Sequence, residues 1–146
     1  MKTVSTFFVA AAAMLLCLPV AQANDILLTQ GVAKSRSGME RVALDIVSDG
    51  NISGFQFSIP VKMSARVTDK SLDLSNCFSE LPKTHVGRCA YRAKKGDIVF
   101  VAYSLENATL PEGVIGLGSI SLPSMGKAAP TISNPVFVDH SGKNIK

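Results

Sequence analysis

Apolar residues recur at every second position along two early stretches of the chain. Val42, Leu44 and Ile46 alternate with Arg41, Ala43 and Asp45, and Phe55, Phe57, Ile59 and Val61 alternate with Gln56, Ser58, Pro60 and Lys62. A period of two turns one face of a strand toward a core and the other toward water. Between the stretches stands Ser48-Asp49-Gly50-Asn51, a dense turn signal, so the two are expected to form an antiparallel pair. A different pattern marks Asp97 to Ser104: Ile98-Val99-Phe100-Val101-Ala102-Tyr103 is apolar on both phases. Such a run predicts a central strand covered on both sides, with Tyr103 buried in it.

Further strands follow from the same reading. Ile26 to Thr29 predicts a first strand and Ile132 to Val138 a last one, with Pro135 tolerated at its start or on an edge. Ile115 and Leu117 set one phase of alternation, and Ile120 and Leu122 set the other. The change of phase at Gly118-Ser119 predicts a bulge. Pro82, Pro111, Pro123, Pro130 and Pro135 interrupt the helical candidates, and turn signals recur throughout. The chain reads as an all-β, antiparallel sandwich.

The N-terminal stretch obeys another grammar. Lys2 gives a positive start, Phe7 to Val20 is almost wholly apolar, and Ala21-Gln22-Ala23 is a small-x-small sequence before Asn24. This is the order of a signal peptide, expected over Met1 to Ala23. Its apolar run of about fourteen residues falls short of the roughly twenty that cross a bilayer. Cys17 follows the bulky Leu16, which argues against a lipid-modified cysteine, and no later stretch is long enough to span a membrane. The expected mature chain, Asn24 to Lys146, has the size of one domain and is exported, to the periplasm or beyond the cell.

Fifteen Lys and Arg against eleven Asp and Glu give a net charge of +4, and about +3 without Lys2. So small an excess gives no reason to expect nucleic acid as a partner. Cys77 and Cys89 are the cysteines of the mature part. In an oxidising compartment they are expected to pair, closing a loop whose chain entropy is worth roughly 3 kcal/mol. A redox or metal role lacks support, since there is no Cys-x-x-Cys spacing and only His85 lies between them.

Three segments in order resemble the cohesin-like family of β-sandwich domains. They are Val42-Ala43-Leu44-Asp45-Ile46 followed by Ser53-Gly54-Phe55-Gln56-Phe57-Ser58-Ile59; Asp97 to Ser104 followed by Leu110-Pro111-Glu112-Gly113; and Phe137-Val138-Asp139-His140-Ser141-Gly142-Lys143-Asn144-Ile145. The Gly-Phe-Gln-Phe step and the closing Asp-x-x-Gly-x-x-Ile carry most of the likeness. The resemblance implies a jelly-roll sandwich of about nine strands, related in fold to carbohydrate-binding modules. Cohesins bind a small calcium-bearing domain, the dockerin, on one sheet face. Ser64 to Lys95, which holds both cysteines, departs from the family pattern, so the resemblance carries the fold and not the partner.

Candidate chemistry is sparse. Lys83, Arg88, Arg92, Lys94 and Lys95 concentrate positive charge on a stretch without an acidic residue, a candidate contact for an acidic protein or polysaccharide. Lysines that keep a strand edge soluble explain the same residues. A sugar-binding platform is poorly supplied: there is no Trp, and Tyr91 and Tyr103 are the only tyrosines. His85 and His140 stand far apart, and no nucleophile, zinc or phosphate-loop motif is present. Asp69 with Asp73 lacks the glycine and dense oxygen ligands of a calcium loop, and Asp139 with Asn144 fits a cation site and a turn equally well. Asn51-Ile52-Ser53 and Asn107-Ala108-Thr109 fit the glycosylation sequon. No catalytic residue, metal site or cofactor is therefore expected. The sequence points to an exported, non-catalytic recognition module for a protein or carbohydrate, or else to a structural or adhesive part of a cell-surface assembly.

Overall fold

The structure is a computed structural model that describes residues 24–34, 38–61, 72–124 and 129–145. The expected signal peptide and Asp69 lie outside these residues. Among the described residues eight strands follow in order: β1 (Asp25–Lys34), β2 (Met39–Asp49), β3 (Gly54–Pro60), β4 (His85–Arg92), β5 (Asp97–Ser104), β6 (Glu112–Pro123), β7 (Ser133–Val138) and β8 (Asn144–Ile145). The expectation was about nine. They form a three-stranded sheet, β1-β2-β6, and a five-stranded sheet, β4-β5-β3-β7-β8, with every pairing antiparallel. No helix occurs among the described residues.

The expected pairing of the two alternating segments is not what forms. β2 pairs with β1 and β6, and β3 pairs with β5 and β7, in the opposite sheet. The turn signal at Ser48 to Asn51 starts an arch instead of a hairpin. Ile52 in the arch is fully buried, and its carbonyl accepts the Leu110 N–H at 2.7 Å. Ser53 donates to the Val138 carbonyl at 2.8 Å, which already belongs to the other sheet. The alternation is satisfied all the same, because Val42, Leu44 and Ile46 face Phe55, Phe57 and Ile59 across one shared core. Phe57 and Phe100 stack at 4.5 Å between ring centroids in its middle.

Two register breaks have visible causes. In β6, Leu44 opposes Gly118 while Asp45 opposes Gly116, so Leu117 is the extra residue of a bulge. Gly118 has φ of +144°, and a Cβ there would collide with the Asn76 carbonyl. In β7, Gln56 opposes Val136 and Ser58 opposes Ser133, which leaves Asn134 and Pro135 opposite Phe57. Asn134 takes φ of +51°, and Pro135, lacking an N–H, sits inside the bulge.

Residues 73–84 form a side wall between the sheets. Ser121 donates to the Asp73 carbonyl at 3.0 Å, Ser119 to the Asn76 carbonyl at 2.9 Å, and Glu80 to the Leu117 carbonyl at 3.0 Å. These bonds cover the outer edge of β6. The Cys77–Cys89 disulfide forms as expected and ties the same segment to β4. Phe78 then leans edge-on against Phe55 and Phe100, over Gly87, where a Cβ would lie 2.6 Å from the ring.

Candidate functional site

The strand expected to be covered on both sides is covered on one. Ile98, Phe100 and Ala102 of β5 are buried, whereas Val101 and Tyr103 face outward, 36% and 52% exposed. The described residues build two layers, and none of them lies as a third layer over the outer phase of β5. Tyr103, read from sequence as buried, is among the most exposed apolar side chains of the sheet.

Register places the neighbours. Across β4, β5, β3 and β7, one row is Val86, Tyr103, Gly54 and Val138; the next is Arg88, Val101, Gln56 and Val136. Val86 and Val136 are each 38% exposed. Gly54 has no side chain, and a Cβ there would sit 3.0 Å from Val138, so a furrow runs between Tyr103 and Val138. One shallow depression of about 310 Å³ is lined by Val86, Gly87, Arg88, Val101 and Tyr103. A second, of about 230 Å³, shares Val101 and Tyr103 and extends over Gln56 to Val136. The outer face of the five-stranded sheet is thus a flat apolar surface with Arg88 and Gln56 as its polar handles.

The basic residues chosen from sequence do not gather into one patch. Lys83 lies in the turn before β4, and Lys94 and Lys95 lie in the turn after it. The strand between them spans roughly 23 Å at about 3.3 Å per residue. Arg92 is bound to Asp97, its Nε donating to Oδ1 at 2.8 Å and its Nη2 to Oδ2. Those bonds raise the Arg92 pKa and lower that of Asp97. Arg88 alone stands among the apolar side chains of the sheet face. Val86, Val101, Tyr103, Gln56 and Val136 were not picked out from sequence. The only signal was the second apolar phase of β5, which a doubly covered strand would show equally.

The remaining candidates have structural roles. His85 is buried, its Nδ1 lies 2.9 Å from Thr84 Oγ1, and burial lowers its pKa. Asp73 accepts from the Ser75 hydroxyl and N–H, and Asp139 from the Ser141 hydroxyl and N–H and from Lys143 N–H; these bonds lower both pKa values. Both aspartates therefore shape turns. Among the described residues no three His, Cys, Asp or Glu side chains come together as a metal site. Asn51 and Asn107 are exposed on neighbouring loops, between β2 and β3 and between β5 and β6. Among the described residues no helix is long and apolar enough to cross a membrane.

No family model matches the chain, and no curated protein does. Solved structures do. A type II cohesin, A11, from Bacteroides cellulosolvens superposes with a TM-score of 0.58 at 14% identity, over 82% of this chain and 89% of that one. The chain has a cohesin-like fold. The second type II cohesin module of the adaptor scaffoldin ScaA from Acetivibrio cellulolyticus gives 0.54 at 16% identity, over 85% of this chain and 84% of that one. A type II cohesin of that organism, solved in a cohesin–X-dockerin complex, gives 0.52 at 15%, over 84% and 90%. At these identities the likeness concerns the cohesin-like fold itself.

Proposed function

We propose that this chain is an exported, non-catalytic recognition module that binds a protein partner through the outer face of its five-stranded sheet. The observation that carries this reading is the cluster of Val86, Val101, Tyr103 and Val136, exposed together on one flat surface with Arg88 among them. Contiguous exposed apolar surface marks interaction sites, and Tyr and Arg are the residue types that most often anchor protein interfaces. One of the similar structures is a cohesin in complex with an X-dockerin, which supports a protein as the partner class. A single exposed tyrosine without a second ring beside it supports sugar binding less well. The Cys77–Cys89 disulfide fits the oxidising compartment that export implies. Asn24 to Lys146 then forms the one mature domain.

A photo-reactive amino acid at position 101 tests the surface. In the living host it is expected to capture a protein, while the same group at exposed Thr109 is not. Equal capture at both positions, or none at 101, overturns the assignment of the face. The chain itself, recovered from the host, should lack its first twenty-three residues in its intact mass; a retained leader counts against export.

A further inference from the structure

All the exposed large apolar side chains among the described residues, except Leu105, lie on the outer faces of the two sheets. The second of these faces belongs to the three-stranded sheet. Its rows are Asp25, Val47 and Val114, then Leu27, Asp45 and Gly116, with Asp49 and Glu112 paired at one end. Leu27 is 39% exposed and Val114 68%. The Glu80 carboxylate reaches over Gly116, close enough to collide with any Cβ there, and Asp45 Oδ1 lies 3.8 Å from the same point. Asp25, Asp45, Asp49, Glu80 and Glu112 thus frame the apolar strip formed by Leu27, Val47 and Val114. Arg41, the basic residue on this face among those described, donates from Nε to Ser119 at 3.0 Å at its far end. The face across the sandwich carries Arg88 among valines, and Asp97, the acidic group on it among the described residues, is taken by Arg92.

From this pairing of faces we infer that the acidic outer face of the three-stranded sheet receives the Arg88-bearing face of a second copy of this chain. The inference rests on the reading of the five-stranded face as an interface, and it adds a second interface and names its partner. Each face offers an apolar strip of similar kind and a charge sign that repels its own copy but attracts the other. The contact is therefore head-to-tail. A heterologous contact of this sort either closes into a ring or extends into a row of subunits, with one face of each sign free at the ends of the row. A protein bound on the Arg88 face stops extension at that end.

The test uses the protein as its host processes it, in sedimentation velocity at about 100 µM. Association is expected at about 20 mM salt and to weaken about tenfold or more by about 0.5 M, as counter-ions screen exposed charge. Arg88→Glu alone is expected to be monomeric, and so is Asp45→Lys with Glu112→Lys. Mixed in equal amounts they should associate again, because each reversed face now meets its complement. A monomeric wild-type protein overturns the inference; if position 101 still captures another protein, the recognition reading survives. Loss of association in the Arg88 variant but not in the acidic-face variant also overturns it, since the Arg88 face would then pair with itself. Should a variant fold poorly, a photo-reactive group at position 114 decides. Cross-links to peptides of β4 or β5 from another copy support the contact, and their absence refutes it.

Discussion

His85 is the residue whose chemistry most directly sets a property of the fold. It is buried at the start of β4, and its Nε2 has no hydrogen-bond partner among the described residues. Burial disfavours the imidazolium, so the folded chain holds His85 below its ordinary value near 6.5. The unfolded chain therefore binds more protons, and stability falls as pH drops through the unfolded value toward the folded one. Urea unfolding between about pH 7.5 and 5.5 should show that loss, with a slope of at most about 1.4 kcal/mol per pH unit. His85→Gln should flatten it. Gly118 is the second residue with a sharp expectation. Its φ of +144° and its contact with the Asn76 carbonyl leave no room for a side chain. Gly118→Ala should cost about 2–4 kcal/mol in the same assay, while Gly113→Ala, with nothing near its Cβ, isolates the cost of positive φ alone.

Among the elements, the side wall of residues 73–84 depends most on its cross-link. Its backbone bonds to β6 are few, and Cys77–Cys89 holds its other side to β4 across twelve residues of sequence. Reduction should lower stability by roughly 3 kcal/mol, because a loop of about that length regains freedom in the unfolded chain. Exchange of the Ser119 and Ser121 amides should quicken in the reduced protein, since their acceptors lie in the wall. Unchanged exchange with lost stability would mean that the wall stays seated without its cross-link. β6 shows how much of an element local pattern reveals. The phase change between Leu117 and Ile120 announced the bulge, because a side chain on the wrong phase has to be returned to the core. The pairing partner of the same strand was not announced.

At the scale of the molecule, the described residues form two layers that share one core and leave both outer faces uncovered by any other described segment. Phe100 and Val101 are adjacent in β5 and should respond oppositely. Phe100→Ala should cost about 3–5 kcal/mol by emptying the stack against Phe57. Val101→Lys should change stability by less than about 1 kcal/mol and should abolish capture of a partner by a photo-reactive group at position 136 on that face. A large loss from Val101→Lys would mean that the outer phase is part of the core after all. The sequence by itself determined six of the strands, the inward phases of β2 and β3, the bulge in β6 and the disulfide, because each depends on residues close along the chain or on the lack of any other cysteine beside them; β4, β8 and the bulge at Pro135 were not announced. It could not determine that β2 and β3 part into opposite sheets. A hairpin and an arch bury the same alternating residues, and only the bonds of Ile52 and Ser53 to Leu110 and Val138 distinguish them. Nor could it separate a doubly covered strand from one with an open apolar face. That choice depends on how many layers the whole chain builds, so the recognition surface on Val86, Val101 and Tyr103 became visible only once the sheets were in place.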